Sequence, residues 1–554
     1  MQDPSNKKSV GGGSKTKKST KLFFSGILVL TVSNLLMKAI GLLFKIPLNH
    51  VVGDTGMGYF NSAYAIYVTF FMISTAGLPM AVALLISESR AKGNIKQVKR
   101  IFNVSVVLFF IIGVVGMCAM MFGSKAFSAL MKSEPTYLCI MAIAPTLFFI
   151  CISSAIRGFF QGYQQMIPTA ISQLIESLCK LLVGIMMAMW SISAGYEIHE
   201  TAAFTVLGLT VGAALGMVFL VISKMIFKES KYNEEFVQLS DDEQITEPVK
   251  VILKRLVIIA IPITLSASLL SLANFIDAII VQSRLQAAGM TQLEATTVFG
   301  NYTTLAVPMF NLPPALIYPI SYSIIPMIRA TMVAGDKVRA KLIMESSLRV
   351  AVLIAVPSAL GLSALSKPIL NLFYTSKSVE MAAPLLSILA LSVFFLCILS
   401  VTNAILQACG HERKPIISMV VGAVVKLVSS YILIGIPGVG IYGTPISTFL
   451  CYLTVTSINF YFVAKYVGII PKVRSVFVRP FAAAVLCMIT AVGAYALFEK
   501  LHPGRLATLA AIAIAVAVYA VLIFVFKAIS KEDVLLLPKG KKICSVLQKL
   551  KLIK

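Results

Sequence analysis

Apolar runs of membrane-spanning length recur from residue 23 to residue 529 with few interruptions, and this recurrence restricts the fold more than any other feature. About twenty consecutive apolar residues wound as an α-helix cross the ~30 Å of hydrocarbon in a bilayer. The runs fall at 23–48, 57–86, 100–123, 135–162, 167–194 and 201–227, then at 252–284, 295–332, 346–373, 381–408, 415–436, 442–466, 474–498 and 506–529. They predict an all-α polytopic membrane protein of about 14 transmembrane helices. Charged residues make up only 13% of the chain, where a soluble protein carries about 25%.

The net charge of +25 would suit a nucleic-acid partner if it formed one basic face. Instead the positive residues recur in short blocks between apolar runs, as cytoplasmic loops do. "SRAKGNIKQVKR" (89–100), "GDKVRAKLIMESSLR" (335–349), "GHERKP" (410–415) and "AKYVGIIPKVR" (464–474) are basic. The alternate loops "HVVGDTGMG" (50–58), "SAGYEIHET" (193–201) and "IPGVGIYG" (436–443) are not, which places both termini in the cytoplasm. Lys500 and Arg505 depart from the pattern. Nine scattered cysteines without a CxxC pair, and His50, His199, His411 and His502 without an HExxH, give no metal or disulfide framework.

Residues 1–22 are polar and basic and lack a signal-peptide core, and they read as a disordered cytoplasmic tail. A polar stretch, 228–251, separates a first lobe (23–227) from a second (252–466); residues 467–529 add two helices, and 530–554 form a cytoplasmic tail of amphipathic composition. An internal repeat supports the division. "GMGYFNSAYAIYVTFFMISTAGLPMAVALLISESRAKGNIKQVKR" is echoed by "FGNYTTLAVPMFNLPPALIYPISYSIIPMIRATMVAGDKVRAK", and "FQGYQQMIPTAISQLIESLCKLL" by "LQACGHERKPIISMVVGAVVKLV". Two six-helix lobes of the same orientation form a parallel pseudo-repeat, as in transporters whose bundles rock about a shared cavity.

Ionisable residues at membrane depth carry the functional signal, because a centrally placed lysine costs roughly 2.5–3.5 kcal/mol on insertion scales. Lys38 and Lys45 share one face of the first helix, since seven residues return an α-helix to within about 20°. Asp277 and Arg284 share a face of the seventh helix, too far apart for a salt bridge, and Asn274 extends that stripe. A wet chamber lined by Lys38, Lys45, Asn274, Asp277 and Arg284 is the expectation, with a net positive balance suited to phosphate or pyrophosphate. Four further residues are secondary candidates. Arg157 is placed to snorkel to the surface, Glu176 and Lys180 are spaced to pair on one helix, and Lys426 has no local partner.

The eighth helix contains Pro308, Pro313, Pro314 and Pro319, which are expected to kink or unwind it, and Gly77 and Pro79 give the second helix a milder bending point. Broken backbone at membrane depth belongs against protein or a water-filled cavity. "GDTGMG" (53–58) reads as a turn, and no catalytic constellation accompanies it.

"RGFFQGYQQMIPTAISQLIE" (157–176), "TAGLPMAVALLISE" (75–88), "DAIIVQSRLQAAGMTQLEAT" (277–296) and "NLPPALIYPISYSIIPMI" (311–328) resemble the polysaccharide-flippase branch of the multidrug/oligosaccharidyl-lipid/polysaccharide exporter superfamily. The likeness is greatest to its stage V sporulation protein B-like members, related to lipid II flippases and MATE transporters. The resemblance implies a V of two six-helix lobes plus two helices that line a lipid-tail groove. It also implies alternating-access transfer of a polyprenyl-pyrophosphate-linked glycan across a bacterial cytoplasmic membrane. "KAIGLLFK" matches the family's R-x-x-G-x-x-x-R on helix one, with Lys38 and Lys45 replacing both arginines. The expected partners are an anionic lipid-linked glycan and membrane lipids, with no nucleic acid, no cofactor and a monomeric state. The coupling source is open among H+, Na+ and membrane potential. The alternatives are a cation-coupled multidrug exporter of the same superfamily, a membrane enzyme of envelope synthesis and a non-transporting scaffold.

Overall fold

A glycine with φ of 73° at position 53 reverses the chain between the first two membrane crossings. No side chain favours that left-handed conformation. The computed structural model describes residues 12–227, 229, 244–374, 376–468, 472–501, 504–530 and 533, without the side chains of 12–39, 42, 43, 262, 265–267, 269, 270, 273, 322, 333 and 376. Residues 1–11, most of the linker and most of the C-terminal tail therefore lie outside the described residues, whereas 12–22, expected as disordered tail, are helical and begin the first helix. Every regular element within them is helical.

The helices are α1 (Gly12–Thr75, turned at Gly53), α2 (Leu78–Ala91), α3 (Ile95–Leu130), α4 (Thr136–Gly162), α5 (Ile167–Ser193) and α6 (Ile198–Ile226). They continue as α7 (Val249–Ala287), α8 (Gln292–Asn301), a π-helical turn (Tyr302–Ala306) and α9 (Val307–Val333). Beyond these come α10 (Lys337–Ala364), α11 (Ser366–Asn371), α12 (Ser376–Ala408), α13 (Arg413–Ile434), α14 (Gly443–Phe462), α15 (Arg479–Leu501) and α16 (Arg505–Val525). Among the described residues, eleven helices are long and apolar enough to cross a membrane. The expected runs at 23–48, 252–284 and 295–332 are helical as well, but they include residues outside the described side chains.

The repeated sequence blocks fold into matching turns. Gly93 (φ 72°) precedes Asn94, whose side chain accepts from Gln97 N and caps α3, while Gly335 (φ 73°) precedes Asp336, which accepts from Arg339 N and caps α10. A left-handed glycine ends one helix and an N-cap oxygen starts the next.

α1 to α6 pack together, and α9 to α14 form a second group. α7 touches both, lying against α1, α2 and α13, while α15 packs on α16 and α10. In the first group, Gly208, Gly212 and Gly216 recur every four residues on α6. A Cβ on Gly208 would fall 2.6 Å from Gly184 of α5, so the two backbones touch, as small residues at helix interfaces allow. After α16 the chain is fastened to α10: Asp533 is fully buried, pairs with Arg349 at 2.9 Å and accepts from the Ser346 hydroxyl.

Candidate substrate site

The prolines act at one place. Val307 N–H reaches back five residues to the Tyr302 carbonyl, and Pro308 has no N–H to offer. The Thr303 carbonyl is thereby left without its helical donor. Lys45 supplies one: its Nζ donates to Thr303 O at 3.0 Å and to Asn61 Oδ1 at 3.2 Å. The neighbouring Thr304 carbonyl accepts from Tyr374 OH at 3.3 Å, and its hydroxyl accepts from Asn61 Nδ2 at 2.8 Å. Of the two expected outcomes, unwinding does not occur at Pro313, Pro314 or Pro319, where α9 stays helical. Proline's fixed φ is itself helical, so each ring deletes a bond without forcing the chain out.

Lys45 lies in a polar seam between α1 and the α7–α9 segment. On the Gly53 side, Thr55 and Thr297 share a 2.7 Å hydrogen bond and Asn301 donates to Asp54 at 3.0 Å. Gln282 donates to Ser62 at 2.7 Å. Gly58 and Gly300 meet backbone to backbone, since a Cβ on Gly300 would lie 2.5 Å from Gly58 N. On the Gly93 side, Gly77 and Pro79 do break the helix, between Thr75 and Leu78. Gly77 N donates there to Thr264, and a Cβ would sit 2.2 Å from Ala260 O. Arg255 then bridges Glu88 (2.6 Å) and Glu247 (2.9 Å). Contacts thus cross the seam toward both ends along this side of the molecule.

The other membrane-depth charges do not gather around Lys45. Asp277 pairs with Lys426 at 2.7 Å, both buried, so Lys426 gains from α7 the partner that its own helix lacks. Arg284 lies over the Tyr431 ring, 4.1 Å from its centroid, beside Gly435. Asn274 is exposed, and the Lys38 side chain lies outside the described residues.

In the first helical group, Arg157 does not snorkel. It is buried, donating to Ser172 at 3.2 Å and pairing with Glu176. Glu176 therefore answers α4 rather than Lys180 on its own helix. Lys180 instead lies over two rings, with Nζ 4.9 Å from the Tyr64 centroid and 5.1 Å from that of Phe44. The pairs Arg157–Glu176 and Asp277–Lys426 each close on themselves, which leaves Lys45 and Lys180 as membrane-depth ammonium groups without a carboxylate among the described residues.

Asn61, Thr303, Phe44 and Tyr64 also shape this site. They are uncharged and so stand out little from their runs; the available signal was Pro308, whose missing donor exposes the carbonyl that Lys45 takes.

Comparison with known proteins agrees with this architecture. The chain is 25% identical over 522 residues to stage V sporulation protein B of Bacillus subtilis (strain 168), covering 93% of this chain and 98% of the relative. It is 25% identical over 465 residues to lipid II flippase MurJ of the same organism, covering 81% and 84%. Among solved structures, lipid II flippase MurJ in an inward closed conformation superposes with a TM-score of 0.65 at 14% identity, covering 90% of this chain and 98% of that one. An inward-facing multidrug resistance MATE transporter of the MOP superfamily gives 0.55 at 15% identity, covering 77% and 98%. The fold is therefore that of the MOP-superfamily transporters. A MatE family model matches residues 262–432, and the model described as polysaccharide biosynthesis protein matches residues 23–332, more than half of the chain. With that match, on a helical membrane scaffold holding the Lys45 ammonium at a polar seam, the chain belongs to the polysaccharide biosynthesis protein family.

Proposed function

We propose that the protein is a flippase that carries the head of a polyprenyl-pyrophosphate-linked glycan, of the lipid II type, between leaflets by alternating access. The observation that carries this reading is Lys45: an ammonium at membrane depth, in the seam between the two helical groups, bonded among the described residues to a neutral carbonyl and a neutral amide. Such a cation is underused until an anion arrives, and phosphate oxygens make the stronger, charge-assisted bonds. Both termini face the cytoplasm in this reading. The lobes 23–227 and 252–466 rock about the seam, the polyprenyl tail stays in lipid beside 467–529, and lysine on helix one does the work of the family's arginines. Lys38 joins Lys45 on the same face, whereas Asp277 and Arg284 serve the second lobe through Lys426 and Tyr431. The coupling source is an ion gradient or the membrane potential.

Reconstitution with polyprenyl-linked candidates, scored for leaflet transfer, tests the reading. Transfer is expected from wild-type protein and is expected to be lost in the double variant Lys38→Ala, Lys45→Ala; full transfer by that variant would refute it. The MatE match over 262–432 favours a second reading, cation-coupled export of organic cations. That activity would confer drug resistance and survive neutralisation of Lys45.

A further inference from the structure

We infer that Lys180 and Lys45 together form a two-ammonium anion site, walled by the rings of Phe44 and Tyr64, whose ligand is the phosphate-bearing head of an amphiphile. The inference rests on the flippase reading and gives it a second arm.

The geometry begins with Phe44. It directly precedes Lys45 on α1, and its ring lies under the Lys180 ammonium of α5. Gly184, one turn beyond Lys180, makes this approach possible, because a Cβ there would already stand 3.2 Å from Phe44 Cε2. The opposite wall is Tyr64 of the second arm of α1, stacked on Phe60 at 6.1 Å with 18° between ring planes. Both ammonium groups are held from the sides by rings or neutral oxygens, and their holders are neighbours: Asn61, which accepts from Lys45, stands one turn before Tyr64, whose ring faces Lys180. The carboxylate that could have neutralised Lys180, Glu176, is turned away to Arg157. Two like charges at membrane depth, with no counter-ion among the described residues, call for an anion with several negative oxygens.

A ligand here would also act on the seam. A phosphate oxygen competes with the Thr303 carbonyl for Lys45 and makes the stronger bond. Binding therefore weakens a contact between the two helical groups, which is the state-dependent affinity a carrier requires.

The test is calorimetric titration of the full chain in lipid nanodiscs with geranylgeranyl pyrophosphate and with inorganic pyrophosphate, at several salt concentrations. Lys180→Gln is expected to weaken geranylgeranyl pyrophosphate binding about tenfold or more, as loss of a bond to a charged group does. Its dependence on salt should become shallower, Lys180→Arg should restore most of the affinity, and the thermal midpoint should stay near wild type. Unchanged affinity in Lys180→Gln with a lowered thermal midpoint would reduce Lys180 to a packing residue and overturn the inference. Equal affinity for inorganic pyrophosphate would overturn the amphiphile assignment. If Lys45→Gln abolishes binding while Lys180→Gln does not, only the second arm fails; if wild-type protein neither binds nor transfers the prenyl pyrophosphate, the flippase reading fails with it.

Discussion

Lys426 donates from Nζ to Asp277 Oδ2 over 2.7 Å, joining α13 to α7 with both side chains buried. The residues lie 149 positions apart in the chain. Taken singly, each is an expensive intramembrane charge; together they are a neutral clasp on the helix that touches both helical groups. Breaking a buried pair from one side costs about 3–5 kcal/mol, because the survivor stays charged and dry. Asp277→Asn is therefore expected to lower the thermal midpoint sharply, and adding Lys426→Met should recover most of the loss. A double variant as unstable as the sum of the two single variants would rule out the clasp.

The seam on the Gly53 side should be lockable. Thr55 and Thr297 already touch through their hydroxyls, so Thr55→Cys with Thr297→Cys is expected to crosslink under mild oxidant and arrest lipid transfer until reduced. Gly300→Val should abolish the crosslink, since its first carbon would meet the Asp54 carbonyl at 2.1 Å and drive α1 from α8. Peptide mass spectrometry reads the bond, and a crosslink that leaves transfer unchanged would show that the seam does not open during transport.

These contacts mark where the sequence is legible. Helical spans follow from run length, because hydrocarbon accepts little else, and eleven of the runs reappear as apolar helices among the described residues. The repeat was legible too: both blocks carry a Gly-Asn or Gly-Asp step, and the αL and N-cap chemistry found there is local. Partner choice was not. Spacing allows Glu176 and Lys180 to pair, yet Glu176 joins Arg157 from α4, and Lys426 finds Asp277 on a helix far away in the chain. Which face of a helix meets which neighbour is decided by packing, and packing leaves no mark in a single helix's periodicity.

Arg284 provides a contrasting case. Its guanidinium lies 4.1 Å from the Tyr431 centroid, and a Cβ on Gly435 would sit 2.1 Å from Nη2. Arg284→Lys keeps the charge but loses the flat face that stacks, at a cost of about 1 kcal/mol. Gly435→Ala should displace the guanidinium and destabilise further, with the double variant less than additive. Should Arg284→Lys leave the thermal midpoint untouched while abolishing prenyl pyrophosphate binding, Arg284 faces the ligand and not Tyr431.

Pro308 offers the sharpest test of how the backbone serves the site. Its missing N–H, with Val307 bonded back to Tyr302, frees the Thr303 carbonyl that Lys45 occupies. Pro308→Ala restores a donor and should let the turn bond itself, so amide exchange around residues 303–308 slows and Lys45 is released. Lys45→Met in the native background strands that carbonyl, at about 1–3 kcal/mol for an unsatisfied buried acceptor. In the Pro308→Ala background the same substitution should cost much less, because the carbonyl is already satisfied. A thermal double-mutant cycle measures the difference, and strictly additive effects would mean that proline and lysine act independently.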